Sequence, residues 1–199
     1  MEAERFPIDP AAILRADWVF GYGSLIWDPD FEHEERALAR VRGWHRAFCI
    51  ASTMYRGTPQ RPGVVLGLAR GGSVVGMAFR LRPASRDAAL LKLYEREMPT
   101  RVYRPRLVQA HLEDGRHVRA LAFVADPASP HHLRLPEDEV VERLLCCAGE
   151  RGPNCEYAIN TWHALSGLGV TDPRLARLVR RIEARAGTDF VDTHRRVEP

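Results

Sequence analysis

Trp18-Val19-Phe20-Gly21-Tyr22-Gly23-Ser24-Leu25-Ile26-Trp27 is the stretch on which the reading of the fold turns. Three apolar residues, Trp18 to Phe20, run into two glycines one residue apart, the pattern of a buried strand feeding a tight loop. Lacking a Cβ, glycines let backbone N–H groups point into a common space, where a carboxylate or an oxyanion can be held. A dinucleotide-binding turn needs a third glycine where Ile26 stands and a helix directly after it, and Trp27-Asp28-Pro29 argues against both. Ser24 does not sit in G-x-S-x-G, so a serine-hydrolase elbow fits poorly. Taken alone, a glycine-rich turn after a strand is explained by structure at least as well as by ligand binding.

Outward from this loop, Arg46 to Thr53 reads as a second strand, followed by the turn-rich Arg56-Gly57-Thr58-Pro59. Val64 to Ala69 and Val74 to Leu81 flank Gly71-Gly72-Ser73, a hairpin signal. The period then changes. Ser85 can cap a helix, with Asp87 in its first turn and Ala89, Leu90, Leu93 and Tyr94 at helical spacing. This helix ends at about Glu97 or Met98, because Pro99 disfavours helical geometry in the residue before it. Arg106 to Leu112 and Val118 to Val124 are two more strands, joined by Glu113-Asp114-Gly115-Arg116. Beyond a loop from Asp126 to Pro130 the chain reads as helical: Glu137 to Ala148, Cys155 to Leu168, and a third helix capped by Asp172 that runs to about Ala186. A polar, frayed tail begins at Gly187. Strands around one central helix, with a helical C-terminal extension, give an α+β fold on a mostly β barrel or curled sheet. The chain is expected to be a single domain over 1–199, with a core of about 17–182 and a polar tail over 187–199.

Composition narrows the function classes. Among 199 residues, 45% are hydrophobic and 28% charged, ordinary for a soluble globular protein. No apolar run approaches the roughly 20 residues that span a bilayer. The opening Met-Glu-Ala-Glu-Arg-Phe-Pro has neither a basic start nor an apolar core, so no signal peptide is expected and the cytoplasm is the expected compartment. The net charge of +3 is carried by scattered arginines, without the clustered patch that nucleic-acid binding requires. Lys92 is the only lysine, which argues against Schiff-base and P-loop chemistry. Of the four cysteines, Cys49, Cys146, Cys147 and Cys155, none forms a C-x-x-C pair; Cys146 and Cys147 fall in an apolar helical pattern and are expected reduced and buried. His131-His132 lies in a loop with no third ligand at suitable spacing, so no metal site is expected. His45 reads as a structural strand entry.

Glu97 is the second pointed feature. It falls in the last turn of the central helix, where exposed carbonyls carry partial negative charge. That position disfavours an ionised carboxylate and is expected to raise its pKa, which suits a proton shuttle near neutral pH. Read alone, it suits a solvated glutamate paired with Arg96 or Arg101 better.

The surrounding strings change that balance. The stretch Trp18 to Trp27 resembles the opening of the ChaC family of glutathione-specific gamma-glutamylcyclotransferases. So do Arg42-Gly43-Trp44-His45-Arg46-Ala47-Phe48-Cys49, Arg56-Gly57-Thr58-Pro59 and Arg61-Pro62-Gly63-Val64-Val65-Leu66-Gly67-Leu68. Gly71-Gly72-Ser73 and Gly76-Met77-Ala78-Phe79-Arg80 continue the match. Arg96-Glu97-Met98, with Tyr103 six residues past the glutamate, resembles the family's catalytic segment, and Gly149 to Tyr157 the start of its C-terminal helix. The match runs in register from about Trp18 to about Val179. It implies a small mixed β-barrel of the gamma-glutamylcyclotransferase-like kind, with a central catalytic helix and a helical C-terminal extension. It implies that Val19, Phe20, Gly21, Tyr22, Gly23, Ser24 and Leu25 hold the gamma-glutamyl moiety and that Glu97 is general base and acid. Some family members carry glycines directly after the glutamate, where this chain has Met98, Pro99, Thr100 and Arg101.

For such a substrate the chemistry is intramolecular: the α-amine of the glutamyl group attacks its own γ-carbonyl and expels the amine of cysteinylglycine. No covalent enzyme nucleophile, metal or organic cofactor is then needed. N–H groups from Gly21 to Leu25 are candidate oxyanion donors. Tyr22, Ser24 and Tyr103 are candidate orienting hydroxyls, and Arg56 is a candidate partner for a glutathione carboxylate or a structural turn residue. The expected partner is the small-molecule substrate, glutathione, with no nucleic acid and no membrane, and the chain is expected to be a monomer or weak dimer. Two rivals stay open: a cyclotransferase for other gamma-glutamyl amino acids or amines, and a non-catalytic ligand-binding regulator of cation transport.

Overall fold

The apolar run at the head of the glycine loop forms a four-residue strand, Trp18–Gly21 (β1), buried along its whole length, in the computed structural model, which describes residues 16–98 and 101–186. It is buried because it has neighbours on both edges: β1 pairs antiparallel with the end of β3 (Gly63–Leu81) and parallel with the start of β5 (His117–Ala125). With β2 (His33–Ser52) and β4 (Tyr103–Leu112), these strands close a barrel in the order β1-β3-β2-β4-β5. Strands buried on both faces need continuous apolar runs, and Ala120 to Val124 of β5 supplies one, each at 2% exposure or less.

The hairpin signal at Gly71-Gly72 is realised in an unusual form. The backbone stays extended from Gly63 to Leu81, yet its two halves run in opposite senses. Leu68 pairs in parallel with Val124 of β5, whereas Met77 to Arg80 pair antiparallel with β1, which itself runs parallel to β5. The reversal lies at Gly71 and Gly72, whose φ angles of 98° and 72° are the left-handed values that a tight hairpin turn requires. The pairing of β4 with β5, from Tyr103↔Ala125 to His111↔His117, matches the hairpin read around Asp114-Gly115.

β2 departs from expectation: it starts at His33, well before Arg46. Its first half buries Ala37, Ala39 and Val41 while Arg36, Arg40 and Arg42 face solvent, a period of two with small inward side chains.

The central helix, α1 (Arg86–Glu97), buries Ala89, Leu90 and Leu93, but Tyr94, expected on the same stripe, is exposed. Ser85 occupies the N-cap position without capping; its hydroxyl donates to Glu32 Oε2 at 3.0 Å instead. After Glu97 the backbone of Met98 leaves helical geometry (φ −111°, ψ 16°). Pro99, invoked for that ending, lies outside the described residues, as do the N-terminal segment read as lacking a leader and the tail from Gly187.

The chain divides into two compact units, one formed by the residues up to Ala47 with Leu66–His132, the other by Phe48–Val65 with the residues from Leu133. The second contains α2 (Glu137–Cys146), a two-stranded β6–β7 ladder (Ala148–Gly149 and Gly152–Pro153), α3 (Asn154–Gly167) and α4 (Pro173–Ala186). Within it, α4 buries Leu175, Leu178, Val179 and Ile182, while its Arg177 and Arg181 pair with Glu137 and Asp138 of α2. Asp172 accepts from the N–H of Leu175 at 3.1 Å, the cap expected there. Asn154, fully buried, pairs its amide with both backbone groups of Val64, accepting at 2.7 Å and donating at 2.9 Å. Cys146 is exposed, against expectation. α2 ends at this residue and the chain turns extended at Cys147, so only Cys147 of the pair points inward. No described helix is long and apolar enough to cross a membrane.

Candidate active site

Where β1 ends, the chain turns at once into a single 3₁₀ turn, Ser24–Ile26, whose Leu25 and Ile26 are buried. The turn is so tight that a Cβ on Gly21 would lie 2.9 Å from the Cβ of Leu25 and 3.2 Å from the Phe79 ring, so no residue but glycine fits. Ile26 donates the first bond of the turn, to Gly23 O at 3.0 Å; Trp27 and Asp28 both donate to Ser24 O. The N–H groups of Ser24 and Leu25 stand ahead of that first bond, in the position that at any helix start carries partial positive charge and suits an anion. Val19 and Phe20 are completely buried, Gly21, Tyr22 and Gly23 are buried, and Ser24 is half-buried.

Two buried groups fix the loop from behind. The Tyr22 hydroxyl donates to Phe123 O of β5 at 2.6 Å. The Tyr22 carbonyl accepts from Arg46 Nε at 2.6 Å, and the same guanidinium donates to Val75 O of β3. Arg46 is 7% exposed, so this cation is buried with backbone carbonyls as partners. Sequence reading placed it only as the start of a strand. The available signal was a single cation opening the apolar run Ala47 to Ala51.

Glu97, the last residue of α1, has a side chain only 16% exposed, which excludes a freely solvated surface glutamate. The pairing with Arg96 weighed for it is present, at 3.5 Å from Arg96 Nε to Glu97 Oε1. The Arg96 guanidinium thus sets a positive charge beside this carboxylate, at the carbonyl-rich end of the helix. Arg96 also reaches the loop: one terminal nitrogen donates to Asp28 O at 2.9 Å, the other to Ser24 Oγ at 3.1 Å. The first unit thus brings Glu97 and the glycine loop together through a residue that sequence reading had cast as a surface partner of Glu97 and as part of the string Arg96-Glu97-Met98, not as a link to the loop.

Tyr103 opens β4, six residues past Glu97, and its buried hydroxyl donates to Leu66 O at 2.8 Å. Because Tyr22 and Tyr103 both give their hydroxyl hydrogen to a strand carbonyl, what either can offer a ligand is an acceptor lone pair. Arg56 belongs to the second unit. There it is 6% exposed, donates to Pro153 O at 2.8 Å and pairs with Glu156 at 3.1 Å. Burial pushes the Cys147 and Cys155 thiols above the usual range and so holds them protonated, unsuited to act as nucleophiles. Among the described residues no group of three or more His, Cys, Asp or Glu side chains could hold a metal ion.

Comparison with known proteins bears on the family and the fold. Residues 17–185 match the family model described as ChaC-like protein. The glutathione-specific gamma-glutamylcyclotransferase of Escherichia coli (strain K12) is 38% identical over 176 residues, 88% of this chain and 76% of that protein. The glutathione-specific gamma-glutamylcyclotransferase 1 of Homo sapiens is 34% identical over 178 residues, 86% of this chain and 78% of that one. Among solved structures, a yeast gamma-glutamyl cyclotransferase specific to glutathione superimposes with a TM-score of 0.79 at 22% identity, covering 85% of this chain and 96% of its own, which shows the shared fold.

Proposed function

Since the chain belongs to the ChaC-like protein family, we propose that it is a gamma-glutamylcyclotransferase acting on glutathione, releasing 5-oxoproline and cysteinylglycine. The observation that carries this reading is the joining of Glu97 at the end of α1 to the loop that leaves β1, through Arg96.

The substrate supplies its own nucleophile. The glutamyl α-ammonium gives a proton to the Glu97 carboxylate, and the freed amine nitrogen attacks the γ-carbonyl carbon. A C–N bond forms and the carbonyl π pair moves to oxygen. The resulting oxyanion is met by N–H groups at the start of the 24–26 turn, which are preorganised by the short bonds that hold Tyr22. When the oxyanion collapses, the bond to the cysteine nitrogen breaks and Glu97 returns its proton to that nitrogen. The ring nitrogen gives Glu97 its second surplus proton as it becomes the lactam N–H, and Glu97 passes that one on to the departing amine too. Two protons thus move from the attacking nitrogen to the departing ammonium and none is exchanged with solvent. One carboxyl therefore serves as base and acid. Ring closure within one bound chain removes the entropy of bringing two reactants together, so holding the glutamyl group in its attack geometry is the main task. The lone pairs of Tyr22 and Tyr103 suit the α-ammonium, since both hydroxyl hydrogens are already engaged.

The test is release of 5-oxoproline and cysteinylglycine from reduced glutathione by the native chain, with Glu97→Gln beside it. Equimolar release that disappears in the folded variant is the expected result. No turnover of glutathione, with turnover of gamma-glutamyl-alanine, would move the assignment to another gamma-glutamyl substrate. Binding without any turnover would overturn it.

A further inference from the structure

We infer that Arg96 is a positioning residue of this reaction, coupling the Glu97 carboxylate to the loop that receives the substrate; this inference rests on the reading of Glu97 as the base. Its side chain is 9% exposed, and each of its three nitrogens meets a different acceptor. Nε faces Glu97 Oε1 at 3.5 Å, one terminal nitrogen bonds Asp28 O at 2.9 Å, and the other bonds Ser24 Oγ at 3.1 Å and lies 3.5 Å from Asp28 Oδ2.

Such a fork needs arginine. A lysine ammonium is a single point charge and cannot reach three acceptors set in different directions, whereas the guanidinium holds its five donors in one rigid plane. Taking a cation out of water is unfavourable unless partners replace the water, and here the partners are the two parts of the site. Ser24 is the decisive one. Its hydroxyl is held by Arg96, and its own N–H belongs to the first residue of the 3₁₀ turn. Movement of the guanidinium therefore shifts the oxyanion donors and the proton carrier together. Arg96 touches neither the reacting atoms nor the substrate in this account; it sets the spacing between the groups that do.

The experiment compares Arg96→Ala, Arg96→Lys, Ser24→Ala and the double variant Ser24→Ala/Arg96→Ala in glutathione turnover, with kcat normalised to folded protein by circular dichroism and Tm. Arg96→Ala is expected to lower kcat on the order of 100-fold, as for a misplacement of about 1 Å, and Arg96→Lys to recover little of it. Free guanidinium ion should restore part of the Arg96→Ala activity in a saturable manner while leaving Glu97→Gln inactive. The Ser24→Ala loss should shrink in the Arg96→Ala background, because both changes cut the same link. Folded Arg96→Ala with native kcat/KM would overturn the inference. So would a loss that guanidinium does not restore and that adds to the Ser24→Ala loss without coupling. A native chain with no turnover of any gamma-glutamyl compound would overturn it together with the proposed function, so the two failures are distinguishable.

Discussion

The strand that backs the loop offers a way to displace the loop without substituting any residue proposed to meet substrate. A Cβ on Gly76 of β3 would lie 2.3 Å from Gly21 O and 2.8 Å from the tip of the Phe20 ring. Ordinary contact begins at 3.4 Å, so Gly76→Ala requires the Gly21 carbonyl and the methyl to part by about 1.1 Å. Phe20 is fully buried and cannot yield. Tyr22, one residue on, is tied to Phe123 and Arg46, so the strain is taken up at the hinge of the loop. Overpacking of this kind destabilises by about 1–3 kcal/mol, which for a chain of this size lowers Tm by roughly 2–12 °C. A displacement near 1 Å at a reacting centre reduces kcat on the order of 100-fold. The assay is 5-oxoproline release from glutathione, with Tm measured on the same protein. Gly167→Ala serves as control, because nothing lies within 4 Å of a Cβ at that helical position. Gly76→Ala with native Tm and native kcat/KM would refute the claim that the β1–β3 contact places the loop.

Two further expectations concern the second unit. Asn154→Ala leaves the N–H and C=O of Val64 without their buried partner, which should destabilise the chain by about 2–5 kcal/mol, measured as a lowered urea midpoint. Hydrogen bonds from Arg177 and then Arg181 hold the Glu137 carboxyl at about 2, below its ordinary 4.5. A depressed carboxyl contributes stability above pH 4.5 and loses it as pH falls toward 2. The groups are partly exposed, so the loss is under about 1 kcal/mol. Arg177→Ala/Arg181→Ala should flatten the acid limb of Tm against pH across that window.

Much of the fold was legible because its signals are local. The apolar run before Gly21, the paired glycines at 71 and 72, and the helical spacing from Asp172 to Ala186 each act within a few residues of chain. The first half of β2 was not legible. Its inward positions are Ala37, Ala39 and Val41, two of them strong helix formers, and its charges are explained only by partners far along the chain, Glu34 with Arg80 and Glu35 with Arg116. Ser85 shows the same limit at one residue: its position was readable, but its hydroxyl answers to Glu32. In the candidate site, the glycine loop and Glu97 could be named from sequence. Arg46 and Arg96 could not, because what makes them matter is the carbonyl at Tyr22, the carbonyl at Asp28 and the hydroxyl at Ser24, brought near by the barrel.

The placement of β1 also bears on the order in which the molecule assembles. Both of its partners come later in the chain: Trp18 meets Arg80 on one edge and Ala120 on the other. β1, the first strand of the barrel in chain order, therefore waits for β5, the last, a long-range closure that slows folding relative to the local β4–β5 hairpin. Since the glycine loop is the direct continuation of β1, it acquires its geometry only when that closure occurs. A nascent or truncated chain lacking β5 has most of the barrel's residues but lacks one of the two strands that hold β1 and its loop in place.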